Sequence, residues 1–167
     1  MAKIMNGKEE YRKRLFSIIN HINRVRQNGE ILINKLLDHG QNELALRLAA
    51  AISVHDASKF TFIEFHGMYS ENEDIKKAAI QHHREINSHH LSYHLSHKEM
   101  SECDIAEMIV DMKSRSDEFG ENLNDFFKKF SKSHKITPQS SFSKRANYFI
   151  DLILNQPLKP IKEIDEI

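Results

Sequence analysis

The stretch QHHREINSHH, residues 81–90, holds four imidazoles: His82, His83, His89 and His90. With His55, His66, His94 and His97 they put eight of the chain's eleven histidines between residues 55 and 97. Such clustering points to a metal site, although a histidine-rich solvated loop would produce it too. Carboxylates stand in reach of the same pattern. His55-Asp56 offers a neutral nitrogen beside a charged oxygen, a donor mixture that suits Zn, Mn or Fe. Glu107 and Asp111 are four apart, so a helix would carry them on one face. Each signal has a plainer reading: a capped helix end at Asp56, and an exposed acidic stripe at Glu107 and Asp111.

Two histidines fall among apolar positions. His21 lies between Ile18 and Val25, and His82 completes a stripe with Ile75, Ala79 and Ile86. An imidazole on a buried face costs free energy unless a ligand or hydrogen bond satisfies it. His83 sits about 100° further round the same helix. His89 and His90 come after the expected helix end, and a solvated pair is the plainer reading for them. Lys59 can reach an ion held at Asp56, or be an ordinary surface lysine. Arg84 and Asn87 can touch substrate, or be an exposed arginine and a C-capping asparagine.

These side chains need helices to position them. Tyr11, Leu15, Ile18, Ile22, Val25, Leu32 and Leu36 predict one long helix over 8–38, with Gly29 in its stripe. Asn28-Gly29 is the alternative break. Gly40 suits a helix end and Asn42 the next cap, with a helix over 43–57. Thr61-x-x-Glu64 and Ser70-x-x-Glu73 read as capping boxes for helices over 62–68 and 71–86. Residues 87–100 show no period. Ser101 caps a helix over 102–117 that Gly120 ends; Phe126, Phe127 and Phe130 mark another, and Phe142 to Ile153 the last. The fold class is all-α, a compact bundle of about six main helices. Residues 1–155 are expected to form one domain and 156–167 an extended tail.

The bulk numbers fit. Hydrophobic residues are 40% and charged residues 29%, in 167 residues with 24 basic and 24 acidic side chains. Zero net charge gives no global field for a nucleic-acid polymer or a membrane surface. A single cysteine, Cys103, suits a reducing compartment. No apolar leader stands in MAKIMNGKEEYRKR, and no run is long enough to span a bilayer, so a cytoplasmic protein is expected. The phenylalanines at 126, 127 and 130 are core, or else a homodimer interface.

Taken in order, His21, His55-Asp56, His82-His83 and Asp111 resemble the ligand order of the HD-domain superfamily of metal-dependent phosphohydrolases, which is all-helical. HDASK resembles the HD-x-G-K of its branch that cleaves cyclic dinucleotides, with Lys59 at that branch's lysine. The branch's GYP after the histidine pair is absent, so that specificity is not carried over. HDASKF, HREINSHH and EMIVD together are more similar to a small bacterial and phage family of unknown function, with HD-x-SK-F, H-x-x-N-x-HH and EM-x-x-D. The resemblance implies an HD-like bundle in a bacterial or phage-infected cell. One ion would be held by His21, His55, Asp56 and Asp111. A second would be held by His82 and His83, with Asp56 bridging. Mn, Fe, Co, Ni or Zn would serve, and the substrate would be a nucleotide or another small phosphate ester. Asp56, Lys59 and Glu107 would take the catalytic roles, and Lys59, Arg84, Asn87, His89 and His90 would contact substrate. An HD-fold di-iron oxygenase and a non-enzymatic metal-binding helical protein are the alternatives.

Overall fold

The computed structural model describes residues 2–155; the tail expected at 156–167 lies outside the described residues. Those residues form seven α-helices and three short 3₁₀ turns, with no strand among them. The α-helices are α1 (Ala2–Asp38), α2 (Asn42–Val54), α3 (Phe62–Gly67), α4 (Glu73–Ile86), α5 (Glu102–Phe119), α6 (Leu123–Ser133) and α7 (Ser141–Leu154). The all-α fold class is thus the observed one. No described helix is long and apolar enough to cross a membrane.

Helices α1, α2, α5 and α7 pack around the main core, α6 lies on α5, and α3 pairs with α4. Val25, Leu32, Leu36, Leu48, Ile109 and Phe149 are fully buried in that core. A second, smaller cluster joins Ile18 and Ile22 of α1 to Phe65 of α3. Helix α1 runs unbroken through Asn28-Gly29. A Cβ on Gly29 would lie 3.0–3.2 Å from three side-chain carbons of Ile52, so the glycine lets α1 and α2 approach closely. Asn28 faces the other neighbour, donating to Ser114 Oγ at 3.1 Å and Asp117 Oδ2 at 3.2 Å on α5. The burial stripe of α1 starts at Ile18 rather than Tyr11, which is half exposed and lies against the rings of Phe65 and His66 on α3.

Three caps differ from expectation. Asn42 is the first residue of α2, and Gln41 precedes it without a side-chain capping bond. Asn72, not Ser70, caps α4, accepting from Asp74 N at 2.9 Å and Ile75 N at 3.3 Å. Thr61 caps α3, but the side chain of Glu64 turns inward instead of closing the box. Ser101 does form a full capping box, with Asp104, and Gly120 ends α5 at φ 66°.

The inward face of α4 also differs. Ala79 and His83 are buried, while Ile75 and Ile86 are about half exposed. The cause is a close approach to α3: a Cβ on Gly67 would lie 2.5 Å from the Ala79 Cβ. Gly67→Ala should therefore lower stability. Overpacking costs about 1–3 kcal/mol, against a gain of about 1 kcal/mol in helix propensity. The expected net is a Tm lower by roughly 2–4 °C per kcal/mol, recovered by adding Ala79→Gly. A thermal melt of both variants checks it, and no recovery in the double variant would discount the contact.

Candidate metal centre

Helix α2 ends abruptly at the dipeptide that matters. His55 is its C-cap, and Asp56 takes the left-handed conformation at φ 56°. Few residues accept that region, but Asp is among those enriched there. The turn carries both side chains inward, where His55 and Asp56 are almost wholly buried. A 3₁₀ turn over Ala57–Phe60 follows and brings the Lys59 ammonium onto Asp56 Oδ2. Lys59 is itself buried, which excludes a solvated surface lysine.

The two oxygens of Asp56 face two groups of nitrogens. Oδ2 lies 3.4 Å from His21 Nε2 and 3.5 Å from His55 Nε2. Asp111 Oδ1 closes that group, 3.0 Å from His21 Nε2 and 3.9 Å from His55 Nε2. Oδ1 of Asp56 lies 3.2 Å from His83 Nε2 and 3.8 Å from His89 Nε2, and His90 joins them. His21, His55 and Asp111 each bring a ligand atom within 4.8 Å of the others, and so do Asp56, His83, His89 and His90. Donors about 2.1 Å from one ion sit roughly 3–3.5 Å apart, so these spacings suit coordination. Nε2 of His21, His55, His89 and His90, with Oδ1 of Asp56 and of Asp111, are buried and have no hydrogen-bond partner among the described residues. Buried polar atoms are normally paired, so the centre has the donor set and the unsatisfied valence of a metal site.

Two buried glutamates aim the imidazoles. Glu107 Oε1 lies 2.8 Å from His55 Nδ1 and 3.3 Å from His89 Nδ1. Glu64 Oε2 lies 2.8 Å from His83 Nδ1 and accepts from Ser58 Oγ at 2.9 Å. A carboxylate on Nδ1 fixes the tautomer that leaves Nε2 free to ligate. His55, His89 and Glu107 also lie within 4.8 Å of one another. With both Nδ1 atoms facing one carboxylate oxygen, we read that trio as support for the other two groups.

Electrostatics favour a cation. Burial would raise the carboxyl of Glu107, but His55 and His89 hold it down at about 2. Burial opposes ionisation of Asp56 and Asp111 as well, yet His21 and the neighbouring imidazoles keep both well below the usual range. His21 and His55 are raised: burial alone would lower them, and the carboxylates outweigh it. His90 is pushed down to about 3 by burial, helped by His89 and His83, so it is neutral and fit to ligate.

The structure thus gathers His21, His55, Asp56, His83 and Asp111 with Lys59 and Glu107. It does not bring His82 to the centre. That side chain is 39% exposed and faces Glu64 Oε1 at 3.1 Å, because α4 turns its next residue inward. His89 and His90, expected as a solvated pair or as substrate contacts, stand among the inner donors. Asn87 is not turned to a substrate space: it donates to His83 O at 2.7 Å and Ser58 Oγ at 3.1 Å, fixing the end of α4. Arg84 lines a cleft of about 290 Å³ that reaches His89, His90 and Asp111 between α5 and α6. Two further residues of the site are Glu64, which faces His83 Nδ1, and Arg115, which lines the same cleft. Thr61-x-x-Glu64 was legible only as a cap, and the signal for Arg115 was its place four residues after Asp111.

The model of a family of unknown function (DUF5662) matches residues 10–156, which include every residue of this centre. No curated protein and no solved structure matches the chain.

Proposed function

The chain belongs to the family of unknown function DUF5662, and we propose that it is a metal-dependent phosphohydrolase of HD-like architecture acting on a small phosphate ester. One observation carries the reading: two groups of donor atoms, most of them buried and without a hydrogen-bond partner among the described residues, face the two oxygens of the Asp56 carboxylate. Divalent Mn, Fe, Co, Ni or Zn bound there would supply a nucleophile made from water at neutral pH and a Lewis acid for a phosphoryl oxygen. The chain supplies the rest. Phosphoryl transfer asks for positioning and charge neutralisation. Lys59 stands against Asp56 with an ammonium that can hold a phosphoryl oxygen or deliver a proton to the leaving group. Glu107 and Glu64 keep His55, His89 and His83 in one tautomer. Arg84 at the cleft adds positive charge where an ester would enter.

The test is metal analysis of protein purified without added ions, followed by assay with a generic phosphate ester. About two ions per chain are expected, with release of inorganic phosphate and a drop in Tm on adding a chelator. The nitrogen-rich donor set also fits iron. Two irons, oxygen uptake and no phosphate release would replace this reading with the di-iron oxygenase. No metal and no chelator effect would sink both and leave a non-enzymatic helical protein.

A further inference from the structure

The cleft beside the centre has two unlike ends. At the inner end stand Asp111, His89 and His90, with Arg115 one helical turn beyond Asp111 on the same face of α5. Arg115 is half buried and spends Nη1 on Glu118 at 3.1 Å. A guanidinium carries five donors, so it retains capacity for an anion. Arg84 lines the same space from α4. The opposite wall is α6, where Phe126 and Phe130, four apart, are half buried and line the cleft. His134 continues that face, its ring 4.3 Å from that of Phe130. Met108 and Met112 of α5 floor the space between the ends.

Phe127, on the neighbouring face of α6, is buried in the core, whereas Phe126 and Phe130 pack against its edge and leave part of their surface to the cleft that Arg84, Arg115 and the metal-type centre also line. A space of about 290 Å³ lies at the small end of ligand pockets. It is too small for a polymer segment and suits one phosphate joined to one flat ring system.

We infer that α6 is the specificity element of this site, and that the ligand is a phosphate monoester with an aromatic head, of nucleoside monophosphate type. Its phosphate lies between the metal-type centre and Arg115 with Arg84, and its ring lies against Phe126 and Phe130. The inference rests on the phosphohydrolase reading for where the phosphate goes, but the aromatic wall is a separate observation and can be tested separately.

The experiment compares adenosine 5′-monophosphate with ribose 5-phosphate, which shares the phosphate and sugar and lacks the ring. Binding to the full, metal-loaded chain is measured by isothermal titration calorimetry, and phosphate release is followed in parallel. The nucleotide should bind at least about 5-fold more tightly, the lower range of base–aromatic stacking. Phe126→Leu with Phe130→Leu keeps apolar volume for folding and removes the rings. It should erase that preference and leave ribose 5-phosphate binding unchanged. Arg115→Gln should weaken both ligands together. Equal binding of the two ligands, a preference that survives the double leucine variant, or no binding of either overturns the inference. Selective binding without phosphate release supports the aromatic wall and overturns the hydrolase reading, so the two failures are distinct.

Discussion

Protein carrying Asp56→Asn is expected to lose one of the two proposed ions and to hold the other more weakly, while its far-UV circular dichroism stays helical. Asparagine visits the left-handed region as readily as aspartate, so the φ of 56° at this turn survives the change. What is lost is the second oxygen and the charge. Each carboxylate oxygen of Asp56 faces a different group, Oδ2 toward His21 and His55, Oδ1 toward His83 and His89. An amide can turn its oxygen to one group only and then presents N–H donors to the other. One position loses its bridging ligand outright, and the other keeps a neutral acceptor in place of an anion. Removing a partner outside the ligand set costs about 10–100-fold in metal affinity, and a shared ligand should cost more. Metal content by mass spectrometry and calorimetric titration checks this. A folded variant that still carries two ions would end the bridging account.

Why Asp56 can bridge was partly legible in the sequence. His55-Asp56 stands where a Leu- and Ala-rich helix runs out, and a helix end is where adjacent side chains can converge. His21 was legible from the apolar rhythm around it, and the long helix from the phase kept across Gly29. Other parts were not legible, for physical reasons. The inward face of α4 is set by the contact of Gly67 with Ala79, not by its apolar stripe, so His82 was placed inward one step too early. His89 and His90 sit in a segment without period. It is shaped by side chain to backbone bonds such as His94 Nε2 to Ser88 O at 2.8 Å, and no spacing rule announces these. Glu64 looked like an ordinary third residue of a cap. Its burial follows from Ser58 and His83, which only the fold brings to it.

Glu64 and Glu107 lead to the second large expected effect, a difference between two variants. Glu64 supports one nitrogen of the centre, His83, and the rest of its bonding goes to Ser58 and to His82 outside the donor groups. Glu107 supports two: His55 faces Asp56 Oδ2 and His89 faces Asp56 Oδ1, one on each side of the shared carboxylate. Glu64→Ala should therefore weaken only the ion on the His83 side, by about 10–100-fold, and leave the other near its original affinity. Glu107→Ala should weaken both, because His55 and His89 each lose the acceptor that keeps Nε2 free. Both variants also take a buried carboxylate away from the imidazoles it faces, a loss that can reach about 3–5 kcal/mol. A lower melting temperature in metal-free buffer is thus expected for both and does not separate them. The separation lies in the two-site titration: one step shifted for Glu64→Ala, both shifted for Glu107→Ala. Loss of the same step in both variants would mean that Glu107 serves one position, and that the two ions are not coupled through it.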